Sequence, residues 1–157
     1  MNSNWDLSIL YRGFDDPNFA ADMKALDEKI ADYRAFKELA PSLTSEDFLV
    51  GYLHREESLS ELVSKLFTFC NLRYSANTQD GEAASTMGVL MGKMSATAAD
   101  SAALNKMVAA TENIEELIAG NEYLREHGFL LTSIVKDSKY LLSDAEEELF
   151  SEMNISG

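Results

Sequence analysis

The chain has 157 residues, which suits one domain large enough to fold without a disulfide or a structural metal. Thirteen Lys and Arg stand against 27 Asp and Glu, so the formal net charge is −14. A chain this acidic repels phosphate backbones and anionic lipid surfaces. No apolar run reaches the roughly 18 residues that a membrane span needs, so we expect neither nucleic-acid nor membrane binding.

The first 17 residues read as an irregular arm that docks on the helices, because they are too apolar for a free tail. Asp16 and Pro17 are typical of a helix start, as N-cap and first helical residue. The helix should run to about Ala40, because Pro41 disfavours its continuation. Steps of three and four separate its apolar positions, which are Phe19, Met23, Leu26, Ile30, Tyr33 and Phe36.

Two further helical segments are predicted before residue 77. Thr44 and Asp47 have capping-box spacing and open the first of them. Around Glu57–Ser58 the chain either breaks briefly or runs on, and both readings stay open. The segment from Leu59 to Ala76 is apolar on most faces, which is typical of a central helix.

A long helix is predicted from about Asp80 to Ala110, and the other helices should lie along it. Its expected buried face carries Ala83, Met87, Leu90, Met91, Met94, Leu104 and Val108. Gly88 and Gly92 each cost about 1 kcal/mol relative to alanine in a helix. Either another backbone comes close there or the glycines are simply tolerated.

Three shorter helices complete the predicted fold. One starts at Thr111 and stops near Gly120, one is capped by Asn121 and extends to Val135, and one opens at Ser143 and reaches Met153. The fold class is therefore all-α: an antiparallel bundle of about six helices with an N-terminal docking arm (1–17) and one long central helix. We expect residues 1–157 to form a single helical domain.

No constellation of side chains for catalysis or metal binding is recognisable. His54 and His127 are the only histidines, and neither belongs to a His-Glu-x-x-His or Glu-x-x-His pattern. Cys70 lies in an apolar run and is interpreted as a buried, inert thiol. The Glu146–Glu148 run fits a solvated first helical turn. The sequence predicts no catalytic, metal-binding or cofactor-binding residue.

Three stretches resemble the N-terminal region of the oligoendopeptidase F-like (thimet-type) zinc metallopeptidases. They are Trp5–Tyr11 followed by Phe14–Pro17, then Tyr74–Asp80, and finally Lys139–Ser143 with Glu146–Phe150. The three stretches are distributed over nearly the whole chain. The resemblance rests on their order and spacing more than on any single motif.

The resemblance implies a non-catalytic helical lobe that forms part of a substrate-channel wall in a much longer cytoplasmic hydrolase. That enzyme cleaves oligopeptides with a zinc ion held in a later domain, so this chain would be truncated before the catalytic domain and inactive alone. Its partners would be that downstream domain and the oligopeptide substrate. A lobe separated from its partner exposes an apolar face, so we expect a symmetric homodimer of the isolated chain.

A different class of function competes with this interpretation. The chain would then be an independent acidic helical module for protein–protein interaction, with no enzyme attached. It would bind a partner through the apolar stripe of residues 19–36 or through the methionines of the long helix.

Overall fold

In a computed structural model of the protein, residues 10–138 are described and form six α-helices with no strand among them. These are α1 (Pro17–Leu39), α2 (Ser45–Ala76), α3 (Gly81–Ala109), α4 (Ile114–Gly120), α5 (Glu122–Glu126) and α6, assigned from 128 to 138. A 3-10 turn, Ala40–Ser42, follows α1. The predicted all-α helical bundle is confirmed. The helix predicted from Ser143 lies outside the described residues.

Helix α1 begins as predicted. The Asp16 carboxylate accepts a hydrogen bond from the Asn18 N–H at 2.9 Å, and Pro17 occupies the start of the helix. Five of the six predicted apolar positions are buried, and Met23 is half-buried. The stripe of residues 19–36 therefore belongs to the core.

The second and third predicted segments are one continuous helix, α2, which at 32 residues is longer than α3. The reading in which the chain runs on through Glu57–Ser58 is the correct one. Contacts to α1 support this stretch: the Tyr33 hydroxyl donates to Glu56 at 2.5 Å, and the Lys29 ammonium donates to the Ser58 hydroxyl.

The described residues divide into two compact units. One contains residues 10–41 and 54–100, and the other contains 42–53 and 101–138. The single-domain prediction for 1–157 stays a prediction.

The first unit is built from α1, the later part of α2 and the earlier part of α3. Ion pairs joining Asp22 to Lys65 and Asp32 to Arg55 show that α2 runs antiparallel to α1. Helix α3 follows α2 after a short turn and reverses direction again. Its Asp80 cap accepts from the Ala83 N–H at 3.0 Å. Consecutive helices are therefore antiparallel, as the short loops predict.

The predicted docking arm can be followed from residue 10. Tyr11 is 1% exposed, and its ring centroid lies 5.2 Å from that of Phe19 and 5.0 Å from that of Phe69, edge to face. Phe14 makes the same type of contact with Phe69 at 5.3 Å. This aromatic cluster holds residues 10–14 on α1 and α2; the earlier part of the arm lies outside the described residues.

The buried face of α3 differs from the prediction at one important position. Ala83, Leu90, Leu104 and Val108 are fully buried as expected, but Met91 is 61% exposed. The buried stripe passes instead through two polar residues, Thr97 and Asp100, and it completes the seven-residue repeat 83, 90, 97, 104. An apolar pattern does not detect polar residues on a buried face, so Met91 was assigned to the wrong side.

The second unit contains the start of α2, the end of α3 and the three short helices. Helix α4 begins three residues later than predicted. Thr111 lies in the turn after α3, where its hydroxyl donates to the Met107 carbonyl oxygen of the last helical turn at 2.9 Å. Asn113 precedes α4 with φ 57°, a left-handed conformation that asparagine tolerates.

The helix predicted from Asn121 to Val135 is divided by a turn at His127 into α5 and α6. Asn121 caps α5 as predicted, accepting from the Leu124 N–H at 3.2 Å. Gly128 permits the close approach of α6 to α4, since a Cβ there would lie 3.3 Å from Ile118 Cγ2.

Candidate functional site

No metal centre is formed by the described part of the chain. Within residues 10–138, no group of three or more His, Cys, Asp or Glu side chains could hold a metal ion. His54 lies on the exposed side of α2. His127 lies at the α5–α6 turn, with Nδ1 3.0 Å from the Tyr123 carbonyl oxygen. The Glu146–Glu148 run lies outside the described residues, and the prediction of no catalytic, metal or cofactor residue stays a prediction.

Cys70 is fully buried and free. Burial raises the pKa of its thiol to about 11, so both access and thiolate formation oppose its reactivity. We expect a thiol-specific disulfide reagent to modify none of the folded protein at neutral pH and one thiol per chain after denaturation. Modification of the folded chain at the rate of a free cysteine would contradict this.

Two tyrosines, Tyr11 and Tyr52, are buried with their hydroxyl groups hydrogen-bonded. The Tyr11 hydroxyl donates to Asp22 at 2.6 Å, and burial together with this carboxylate raises the pKa of Tyr11. Tyr52 is 2% exposed and its hydroxyl donates to the Asn105 side-chain oxygen at 2.8 Å. Both side chains serve the packing of their own unit. Tyr74 is half-buried, and Tyr140 lies outside the described residues.

Among residues 10–138, the most buried charged residue lies on α3. Asp100 is 7% exposed and accepts hydrogen bonds from Lys37 at 2.6 Å and from Arg34 at 3.0 Å. Arg34 also donates to the Ala96 carbonyl oxygen at 3.2 Å. These bonds tie α1 to α3. The bond from Lys37, with the one from Arg34, lowers the pKa of Asp100 although burial opposes the shift.

Asp100 therefore makes stability depend on pH. A carboxylate whose pKa is lowered on folding contributes stability above its unfolded pKa of about 3.9 and loses it as pH falls through the folded value. We expect Asp100→Asn to lower the melting temperature at pH 7, with the difference from the parent shrinking as the pH drops below about 4.

Glu28→Gln is the matched control for Asp100→Asn, because it removes the same charge from an exposed position on α1. We expect this change to leave the melting temperature nearly unaltered. Equal effects of the two substitutions would mean that net charge, rather than the Asp100 cluster, determines the result.

Large apolar side chains are exposed in three places among the described residues, the first being Leu39 at the end of α1, which is 54% exposed. On α3, Val89 is 49% and Met91 61% exposed; at the start of α6, Phe129 is 87% and Leu130 43% exposed. Phe129 and Leu130 are neighbours in the chain, so the start of α6 presents an apolar surface. The sequence pattern predicted Met91 on the buried face of the long helix, so the exposed surface of α3 was not predicted.

Comparison with known protein families gives a match for the last third of the chain. The family model described as oligopeptidase F, for the N-terminal region of M3 peptidases, matches residues 108–157. The described part of this stretch contains the end of α3, the helices α4 and α5, and α6 as far as 138. No curated protein and no solved structure matches the chain. Among the described residues, no helix is both long and apolar enough to cross a bilayer. Residues 108–157 are therefore similar to the N-terminal region of oligopeptidase F, the family whose resemblance the sequence analysis describes.

Proposed function

We propose that the chain is the non-catalytic N-terminal helical lobe of a zinc-dependent oligoendopeptidase. The observation that carries this proposal is the match of residues 108–157 to the oligopeptidase F model. In this proposal the zinc ion and its His-Glu-x-x-His helix belong to a later part of the same polypeptide. The lobe forms part of the wall of a channel that admits oligopeptides, and it hydrolyses nothing alone. The enzyme acts in the cytoplasm.

The surface of the matched stretch supports a role in contact rather than catalysis. Phe129 and Leu130 lie there and are 87% and 43% exposed. Their aromatic and aliphatic surface suits packing against another domain or against apolar side chains of a peptide. No metal-binding group of acidic, His or Cys side chains occurs among the described residues, so nothing described competes with the proposed later zinc site.

An independent acidic interaction module is the alternative, and one observation favours it. The exposed apolar residues on α3 are available to any partner, whether or not a peptidase domain follows. Of the two surfaces predicted for this alternative, only the α3 methionine face remains, because the stripe of residues 19–36 is buried. The homodimer of the isolated chain stays a prediction.

The test begins with the source gene beyond codon 157. We expect an open reading frame that encodes a His-Glu-x-x-His segment some hundreds of residues later. The purified longer polypeptide should contain stoichiometric zinc by mass spectrometry and cleave internally quenched oligopeptides. The 157-residue chain should do neither. A stop codon at that point, or stoichiometric zinc in the 157-residue chain, would overturn the proposal.

A further inference from the structure

Asp80 and Gly81, which join the turn after α2 to the start of α3, form a dipeptide with a chemistry of its own. Of the eight glycines in the chain, only Gly81 follows an aspartate or an asparagine. Because glycine has no Cβ, its backbone nitrogen can approach the side-chain carbon of the preceding residue closely. An aspartate followed by glycine is therefore prone to rearrange into isoaspartate.

The rearrangement takes place in two balanced steps. The Gly81 nitrogen attacks Cγ of Asp80, so that an N–Cγ bond forms, a C–O bond of the carboxylic acid breaks, and one water molecule leaves. A second water molecule then opens the resulting succinimide ring. When that water attacks the main-chain carbonyl carbon of Asp80, the chain continues through Cβ and Cγ, and the product is isoaspartate of unchanged mass.

The structure shows no requirement for glycine at position 81. Gly81 is exposed at the start of α3, and its φ is not positive. A Cβ added to it would meet no atom within 4 Å among the described residues. Alanine fits there and has the higher helix propensity, so Gly81→Ala removes the reactive dipeptide and preserves the fold.

The fold holds the Asp80 carboxylate in a position that opposes the reaction. One carboxylate oxygen accepts from the Ala83 N–H at 3.0 Å, and the other accepts from the Arg73 Nε–H at 3.3 Å. Rotation of the carboxyl group toward the Gly81 nitrogen breaks these bonds. The bond from Ala83, together with the one from Arg73, lowers the pKa of Asp80 although burial opposes the shift. The group therefore stays ionised at neutral pH, and a carboxylate is a poorer electrophile than the acid.

Arg73 is itself held in place by the N-terminal arm. Its guanidinium carbon lies 4.9 Å from the centroid of the Phe14 ring and 5.7 Å from that of the Phe69 ring. At these distances a cation is attracted to an aromatic face. Phe14 belongs to residues 10–14, which dock on α1 and α2 through the aromatic cluster. Arg73 thus joins the docked arm to the residue that caps α3.

We infer that Asp80–Gly81 is a site of spontaneous isoaspartate formation, and that Arg73, held by the docked arm, suppresses this reaction in the folded chain. The reaction adds one carbon atom to the main chain at the cap of α3 and displaces the carboxylate from Ala83 and Arg73. The modified chain therefore loses the link between the arm and α3. This chemistry belongs to the 157-residue chain and is independent of the proposed peptidase.

The test measures isoaspartate at residue 80 during several weeks at physiological temperature and neutral pH. Electron-transfer fragmentation of the proteolytic peptide that contains residues 80 and 81 distinguishes isoaspartate from aspartate. The parent, Gly81→Ala, Arg73→Met and Lys65→Met are incubated in buffer, and the first two also in guanidinium chloride. Lys65→Met is the matched control for Arg73→Met: Lys65 is a second cation of α2, which lies 4.8 Å from the Tyr11 ring and pairs with Asp22 instead of Asp80.

We expect the denatured parent to accumulate isoaspartate at residue 80 and the denatured Gly81→Ala chain to form almost none. A hydrogen bond to a charged group is worth about a tenfold change in an equilibrium, so the folded parent should react at least about tenfold more slowly than the denatured parent. Arg73→Met should recover much of the lost rate, and Lys65→Met should keep the rate of the folded parent.

Equal rates in the folded and the denatured parent, or in the folded parent and Arg73→Met, would overturn the inference. An acceleration by Lys65→Met as large as that by Arg73→Met would also overturn it, because general loosening of the aromatic cluster would then explain both. Circular dichroism checks that each variant is folded. If Arg73→Met is not, Arg73→Lys replaces it, since lysine keeps a cation near Phe14 and lacks Nε; an unchanged rate in that variant would likewise overturn the inference.

Discussion

Leu90→Asp is expected to unfold the chain or to bring it close to unfolding. Leu90 is fully buried in the middle of α3, so the change removes an apolar side chain worth about 2–5 kcal/mol and buries a carboxylate with no partner. The sum exceeds about 4 kcal/mol, a large part of the 5–15 kcal/mol that stabilises a typical domain. Urea unfolding followed by far-ultraviolet circular dichroism measures the loss.

Met91→Asp is the control for Leu90→Asp, because it introduces the same charge one residue further along the same helix. Met91 is 61% exposed, so the new carboxylate stays in water. The expected cost is the lower helix propensity of aspartate, about 0.5 kcal/mol. A large loss of stability for Met91→Asp together with a small loss for Leu90→Asp would contradict the structure. It would mean that α3 is rotated about its own axis by about 100°, the angle between successive residues in a helix.

Phe69→Ala is expected to produce the second large loss, about 3–5 kcal/mol. Phe69 is fully buried, and its ring is contacted by Tyr11 at 5.0 Å, Phe14 at 5.3 Å and Phe19 at 5.8 Å. The Phe69→Ala substitution removes the ring against which residues 11–14 pack. The near-ultraviolet circular dichroism of the aromatic cluster should therefore change together with the unfolding midpoint.

Phe129→Ala makes the same chemical change at an exposed position. Phe129 is 87% exposed, so its truncation should alter the free energy of unfolding by no more than about 0.5 kcal/mol. A loss as large as that at Phe69 would show that Phe129 is covered in solution by another part of the molecule.

The helices that sequence reasoning predicted well are those whose ends carry chemical signals. Asp16 and Pro17 mark the start of α1, and Asn121 marks the start of α5; the structure has both. The continuity of α2 was harder to predict, because tertiary contacts from α1 support the stretch around Glu56 and Ser58. Such tertiary contacts do not affect the intrinsic helix propensity of these residues, so the local sequence does not reveal them.

The rotation of α3 was the main error, and its cause is physical. The apolar positions 87, 90, 91 and 94 fit two neighbouring faces equally well. Burial of Thr97 and Asp100 decides between these faces, and Asp100 is buried only because Arg34 and Lys37 on α1 neutralise it. The charge pattern did contain a signal for a buried carboxylate, because Arg34 and Lys37 lie three residues apart on one side of α1. A prediction from apolar positions alone does not use this signal.

The candidate function could be predicted only through resemblance. Composition and spacing indicate an acidic helical fold, and they contain no catalytic pattern from which an activity could be derived. The exposed surface of α3 was missed because Met91 is an apolar residue within a helical pattern, and such residues are assigned to a core by default. Its exposure follows from the rotation of α3 about its own axis, which the structure provides.

The cluster around Asp100 has a consequence for how the chain is made. Asp100 follows Lys37 by 63 residues, and ribosomes add about 5–20 residues per second. Between roughly 3 and 13 seconds therefore pass after the cations of α1 are synthesised before their carboxylate exists. During that interval α1 can form its ion pairs with α2, whereas Arg34 and Lys37 still lack the carboxylate that joins α1 to α3.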